Sequence, residues 1–111
     1  MEAGFSNARL QKTFNDTKAL RRTYGPERAK KIGLRMQAIV AAHDLAVLCS
    51  LPQARCHELH ADRRGTFSLD LDGPYRLIIK PADQPPPQHD DGGIDKSQVL
   101  RVLVVEVTDT H

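Results

Sequence analysis

The amino-acid sequence predicts an α+β fold in which two N-terminal helices pack on a small, twisted, mainly antiparallel sheet. Three observations predict it: apolar residues recur at helical spacing before residue 43, they alternate at strand spacing after residue 52, and turn-forming residues separate the strand-like runs. Helices followed by strands is the order in which helices gather on one side of an antiparallel sheet.

The elements follow in order. Asn7 is suited to cap a first helix that runs through Leu10 and Phe14 towards Leu20. A second helix extends from Pro26 to about His43, because Ala29, Ile32, Met36, Ile39, Val40 and His43 fall on one face. Pro26 fits its first turn, after the punctuating Gly25. Asp44 to Cys49 adds a short helical turn that Leu51-Pro52 stops. Arg55 to His60 reads as a weak strand. Phe67, Leu69 and Leu71 alternate with Thr66, Ser68 and Asp70, and the turn Asp72-Gly73-Pro74 leads into Tyr75 to Ile79, which makes a hairpin. Val99 to Val107 is the most apolar strand. Between the last two strands, Pro81 to Gln98 holds Pro85-Pro86-Pro87, Asp90, Asp91 and Gly92-Gly93; it reads as a mobile loop, too polar to offset its ordering entropy by burial.

At 111 residues, 40% of them hydrophobic and only 5% aromatic, the chain fits one domain whose core is mostly aliphatic. No run approaches the roughly 20 apolar residues that span a bilayer. The N-terminus lacks the basic start, apolar middle and small-residue cleavage site of a secretory signal, so the expected location is the cytoplasm, with no membrane contact. Cys49 and Cys56 match no metal or C-x-x-C pattern and read as reduced core residues. Neither a metal nor a cofactor is expected. The net charge of +2 hides an asymmetry: Met1 to Arg64 carries 12 basic and 6 acidic residues, and Gly65 to His111 carries 4 basic and 8 acidic. Four of those aspartates, against one lysine, lie in the 81–98 loop, so the rest of the chain is distinctly cationic.

A phosphate-binding Gly-rich loop, a nucleophile elbow and a His-Glu-x-x-His metal site are absent from the sequence, which removes support for nucleotide hydrolysis, acyl transfer and zinc proteolysis. His57, His60, Arg63, Arg64, Arg76, Asp109 and His111 lie instead on the strand half or its turns, a composition suited to a polyanion. Metal-free RNA cleavage requires a base to take the 2′-OH proton, an acid to protonate the leaving 5′ oxygen, and a cation to stabilise the crowded phosphorane. Histidine can do the first two, and arginine, permanently charged and able to grip phosphate with two N–H groups, the third. The plainer alternative is that the histidines are structural or surface side chains and the basic helix faces are merely solvated.

Three motifs in order, His57-Glu58-Leu59-His60-Ala61-Asp62-Arg63-Arg64-Gly65-Thr66-Phe67-Ser68, Gly73-Pro74-Tyr75-Arg76-Leu77-Ile78, and the terminal Val105-Glu106-Val107-Thr108-Asp109-Thr110-His111, resemble the HigB-type killer toxins of the RelE superfamily, as does the opening Phe5-Ser6 followed by helices. The resemblance spans nearly the whole chain. It implies a RelE-like microbial ribonuclease fold and a bacterial type II toxin that cuts mRNA in the ribosomal aminoacyl site. It also implies silencing by a HigA-type helix-turn-helix antitoxin, through which alone operator DNA would be engaged. Carried over by position, it makes His111 the general acid or base, Asp109 the residue that orients it, Arg76 the transition-state cation and His60 a further catalytic group, with Arg63, Arg64 and His57 contacting RNA. The sequence departs from the family where many members have Lys in place of His60 and an aromatic residue in place of Thr110, and in its longer 81–98 loop. Two other functions suit the sequence: a gyrase-poisoning toxin on the same scaffold, and a non-catalytic module whose basic helices dock an acidic partner.

Overall fold

The structure, a computed structural model, describes residues 1–109. Its first element is a strand, β1 (Glu2–Phe5), which the short mixed run Glu2-Ala3-Gly4-Phe5 does not announce. The Asn7 side chain then accepts a hydrogen bond from the Leu10 N–H at 2.9 Å and caps α1 (Ala8–Phe14) as expected. That helix does not continue to Leu20. The Asp16 carboxylate takes the N–H groups of Lys18 and Ala19, starting a separate α2 (Thr17–Tyr24), because a short acceptor side chain satisfies the orphan donors of a new helix end. Gly25, at φ +85°, ends α2 in a backbone conformation that L side chains rarely adopt, and Pro26 opens α3 (Pro26–Ala41).

Ala29, Ile32, Arg35 and Ile39 form the buried face of α3. Val40 is 62% exposed, and His43 lies beyond the helix with its side chain in solvent, so the apolar face is narrower than the sequence pattern suggests. The helix ends at Ala41, before His43 can be carried round to that face. A short helix, α4 (Leu45–Cys49), follows, capped by Asp44, whose carboxylate accepts from the Val47 N–H at 2.9 Å.

The remaining strands are β2 (His57–Glu58), β3 (Phe67–Asp70), β4 (Tyr75–Pro81) and β5 (Arg101–Asp109). They form one mixed sheet in the order β1-β5-β4-β3-β2, antiparallel except for the parallel β1–β5 pair. The α+β class read from periodicity is therefore the observed one. Phe67, Leu69, Leu77, Ile79, Val102 and Val104 turn into a core that Leu20, Ile32 and Ile39 close from the helix side. An aromatic chain joins the first elements: Phe5 meets Phe14 edge-on at 5.3 Å, and Phe14 meets Tyr24 at 6.2 Å.

Two arginines of α3 hold the β3–β4 hairpin. Arg28 grips the Asp72 carboxylate with two N–H groups at 3.0 and 3.2 Å and lies 3.4 Å above the Tyr75 ring. Arg35, buried, donates its Nε–H to the Asp70 carbonyl at 2.6 Å. The Arg28 hydrogen bond holds the Asp72 carboxyl below its ordinary pKa, and hydrogen bonds from His43 and the Val47 N–H do the same for Asp44. Both groups bind protons less readily when folded than when unfolded. Their contribution is therefore complete above the unfolded carboxylate pKa and lost as pH falls through the lowered folded value, from about pH 5 downwards. The urea midpoint should fall between pH 7 and pH 3, and Asp72→Asn should flatten that fall; parallel pH curves for variant and parent would contradict this source of acid sensitivity.

The segment between β4 and β5 is more organised than a bare loop. Gln88 and Ile94 form an antiparallel bridge, the His89 and Gly93 backbones pair at 2.8 Å, and the Asp95 N–H reaches the Pro87 carbonyl at 2.9 Å. Ile94 packs against the core, which anchors this small hairpin. A single 3-10 turn, Lys96–Gln98, then packs near α4 and leads to β5.

Candidate active face

The pleat of the sheet decides which side chains can meet. Successive residues of a strand point to opposite faces, and directly paired residues of antiparallel strands share one. Leu77 pairs with Val107 on the helix-facing side, so Arg76, paired with Thr108, and Ile78, paired with Glu106, lie on the other. Asp70 pairs with Arg76, and Ser68 with His57, on that same outer face.

The outer face is organised by ion pairs. The Arg76 Nε stands 3.0 Å from one Asp70 carboxylate oxygen, and the Arg55 Nε stands 3.4 Å from the other. A second nitrogen of Arg76 donates to the Gly73 and Tyr75 carbonyls at 2.9 and 2.8 Å, so its guanidinium is fixed in position. Arg63 reaches across to Glu106 at 2.8 Å. Arg55 itself sits at a positive φ of 47°, immediately before the residue that leads into β2. The Ala54 carbonyl accepts from the Asp70 N–H at 3.0 Å, which ties this corner to β3.

The turn between β2 and β3 holds the other basic candidates. His60 precedes a single 3-10 turn, Ala61–Arg63, and is exposed, as are Arg64 and His57. The Glu58 carboxylate accepts the Gly65 N–H at 3.2 Å and closes the turn, while the His57 ring is hydrogen-bonded to the Arg55 carbonyl at 3.0 Å. Beside this turn lies an open cleft of about 690 Å³, lined by Glu58 and Arg64 on one wall and by Pro86, Gln88 and Asp91 on the other. The acidic 81–98 segment therefore adjoins the basic turn, and a polyanion approaching Arg64 would pass Asp91.

The sequence candidates are thus partly gathered. Arg76, Arg63 and His57 share the outer side of the sheet, with His60 and Arg64 on the adjoining turn. Asp109 pairs with Tyr75, which directs it to the helix-facing side at the same sheet end, opposite to Arg76. His111 and Thr110 lie outside the described residues. Two residues of the face were not among the candidates read from sequence: Asp70, which holds two arginines, and Arg55. The hairpin carried a usable signal for the first, since a short turn over Asp72-Gly73-Pro74 sets Asp70 opposite Arg76.

The basic residues of the helices are mostly in solvent, among them Arg9, Lys12, Lys18, Arg21, Lys30 and Lys31. Among the described residues no helix is long and apolar enough to cross a membrane. No protein-family model matches the chain, and no curated protein matches it either.

Proposed function

We propose that the chain is the toxin of a type II toxin–antitoxin pair, a ribosome-dependent mRNA endonuclease of the HigB type that works in the cytoplasm and is neutralised by a helix-turn-helix antitoxin. The observation that carries this reading is the outer sheet face, where Arg55, Arg63, Arg76 and His57 lie on one side of the sheet, with His60 and Arg64 on the adjoining turn. Arginines there can hold the scissile phosphate, and Arg76, already oriented by two carbonyls and Asp70, can meet developing charge without first becoming ordered. Histidine supplies the proton transfers, with His111 as the acid or base of the resemblance and the exposed His60 as a further catalytic group. The products expected are a 2′,3′-cyclic or 3′-phosphate and a 5′-OH.

The test is cleavage of mRNA on programmed ribosomes by the purified protein. His111→Ala should abolish cutting, Arg76→Ala should slow it by about 10²–10³-fold as loss of a transition-state donor does, and chelators should change nothing. Equal cutting by His111→Ala would end the assignment.

A non-catalytic polyanion-binding module is the second reading, favoured by two observations: Asp109 lies across the sheet from Arg76, and both Arg76 and Arg63 are ion-paired to acids. On that reading the protein binds RNA with strong salt dependence yet leaves it intact, and overexpression without an antitoxin leaves growth unaffected.

A further inference from the structure

The two cysteines, read from sequence as inert, lie together. Cys49 ends α4, Cys56 immediately precedes β2, and their sulfur atoms are 3.0 Å apart. Both are free thiols; Cys49 is partly exposed and Cys56 is buried. A disulfide needs its sulfurs at about 2.05 Å, so closure asks for roughly one ångström of approach by two sulfurs that already touch. Among the described residues no group of three His, Cys, Asp or Glu side chains is arranged to hold a metal, so the pair lacks the further ligands that a metal site would recruit.

From this juxtaposition we propose that Cys49 and Cys56 form a redox-active dithiol that reduces a hydroperoxide and closes to an intramolecular disulfide. The two thiols have different roles. The hydrogen bond between the two sulfurs and the nearby Lys96 ammonium hold the Cys49 thiol below its ordinary pKa against the opposing effect of burial, while the same hydrogen bond and burial push Cys56 up. Cys49, the partly exposed sulfur that a peroxide can reach, is the attacking thiolate, and the buried Cys56 is the resolving thiol. The Cys49 sulfur attacks one peroxide oxygen, the O–O bond breaks, and the departing oxygen takes a proton and leaves as water or an alcohol. Cys49 is then a sulfenic acid. The Cys56 sulfur attacks the Cys49 sulfur, the S–O bond breaks, and the Cys56 proton leaves with that oxygen as water. Two electrons pass from the thiol pair to the peroxide. The chemistry uses none of the residues assigned to RNA and stands whether or not the protein cleaves it.

The experiment treats the reduced full chain with hydrogen peroxide at neutral pH and follows intact mass and peptide mapping. The expected product is a monomer lighter by two hydrogen atoms, with Cys49 linked to Cys56, restored by dithiothreitol. In Cys56→Ser, dimedone should trap a sulfenic acid on Cys49; in Cys49→Ser, Cys56 should stay unmodified. Thiols in the parent that stay free under excess peroxide, a disulfide-linked dimer, or over-oxidised Cys49 without a bond to Cys56 would each overturn the proposal. The parent measurement needs no variant, so a substitution that prevents folding leaves the test intact.

Discussion

Replacing Phe67 by alanine should destabilise the protein by about 3–5 kcal/mol, the usual loss for a buried phenylalanine. The side chain is fully buried, the bulkiest of the fully buried set, and it sits where β3 pairs with both neighbours, opposite Ile79 on β4 and Glu58 on β2. The aliphatic side chains that share this core lie on the paired strands and on α3, so they can close only part of the void. Since a domain of this size has a total stability of about 5–15 kcal/mol, the variant should lose a large share of it. Urea titration gives the check: the midpoint falls sharply with the slope unchanged, while Phe67→Leu, which keeps most of the packing, loses much less. A midpoint within error of the parent for Phe67→Ala would mean that the core does not run through β3 as described.

Asp70→Asn is the second large expectation, and it works on stability and binding in opposite directions. The carboxylate is only 19% exposed and neutralises Arg55 and Arg76 together, so removing its charge should cost about 1–3 kcal/mol, as for hydrogen bonds to charged groups. The same change releases two guanidinium groups on the outer face. Affinity for single-stranded RNA should rise, and the slope of log K against log salt should steepen by about 0.7 for each additional phosphate neutralised. Arg76→Ala should shift both quantities the other way. Filter binding at several salt concentrations measures this directly; unchanged affinity and slope in both variants would remove the outer face from any account of RNA contact.

How much of this was legible in the sequence depended on whether the signal was local. The β3–β4 hairpin was, because alternation on both sides of Asp72-Gly73-Pro74 fixes the strands and their faces together. The helix break at Asn15-Asp16 left a cap signal that periodicity alone overlooks, since Leu10, Phe14 and Leu20 still read as one stripe across it. The strand β1 had no local signal: Glu2, Ala3, Gly4 and Phe5 become a strand only because the β5 edge offers backbone partners. In the candidate face, residue types were readable but their sides were not. Arg76 and Asp109 are both catalytic candidates in the linear chain, and only the pairing of Asp109 with Tyr75 reveals that they belong to opposite faces of the sheet. Cys49 and Cys56 were likewise unremarkable by spacing, and the irregular connector between α4 and β2 is what folds them together.

The parallel pairing of β1 with β5 sets the order in which this molecule can assemble. Glu2 must find Arg101, and Phe5 must find Val104, so the first strand in the chain waits for a partner that is the last of the five to be synthesised. Such distant contacts carry a large loop-closure cost and slow folding. A nascent chain can form its helices and the β3–β4 hairpin early, but the hairpin keeps one unpaired edge, and β1 has no partner, until β5 has left the ribosome. During that interval Leu77 and Ile79 lack Val107 and Val104, their partners on β5, and synthesis rate and chaperone access become determinants of yield.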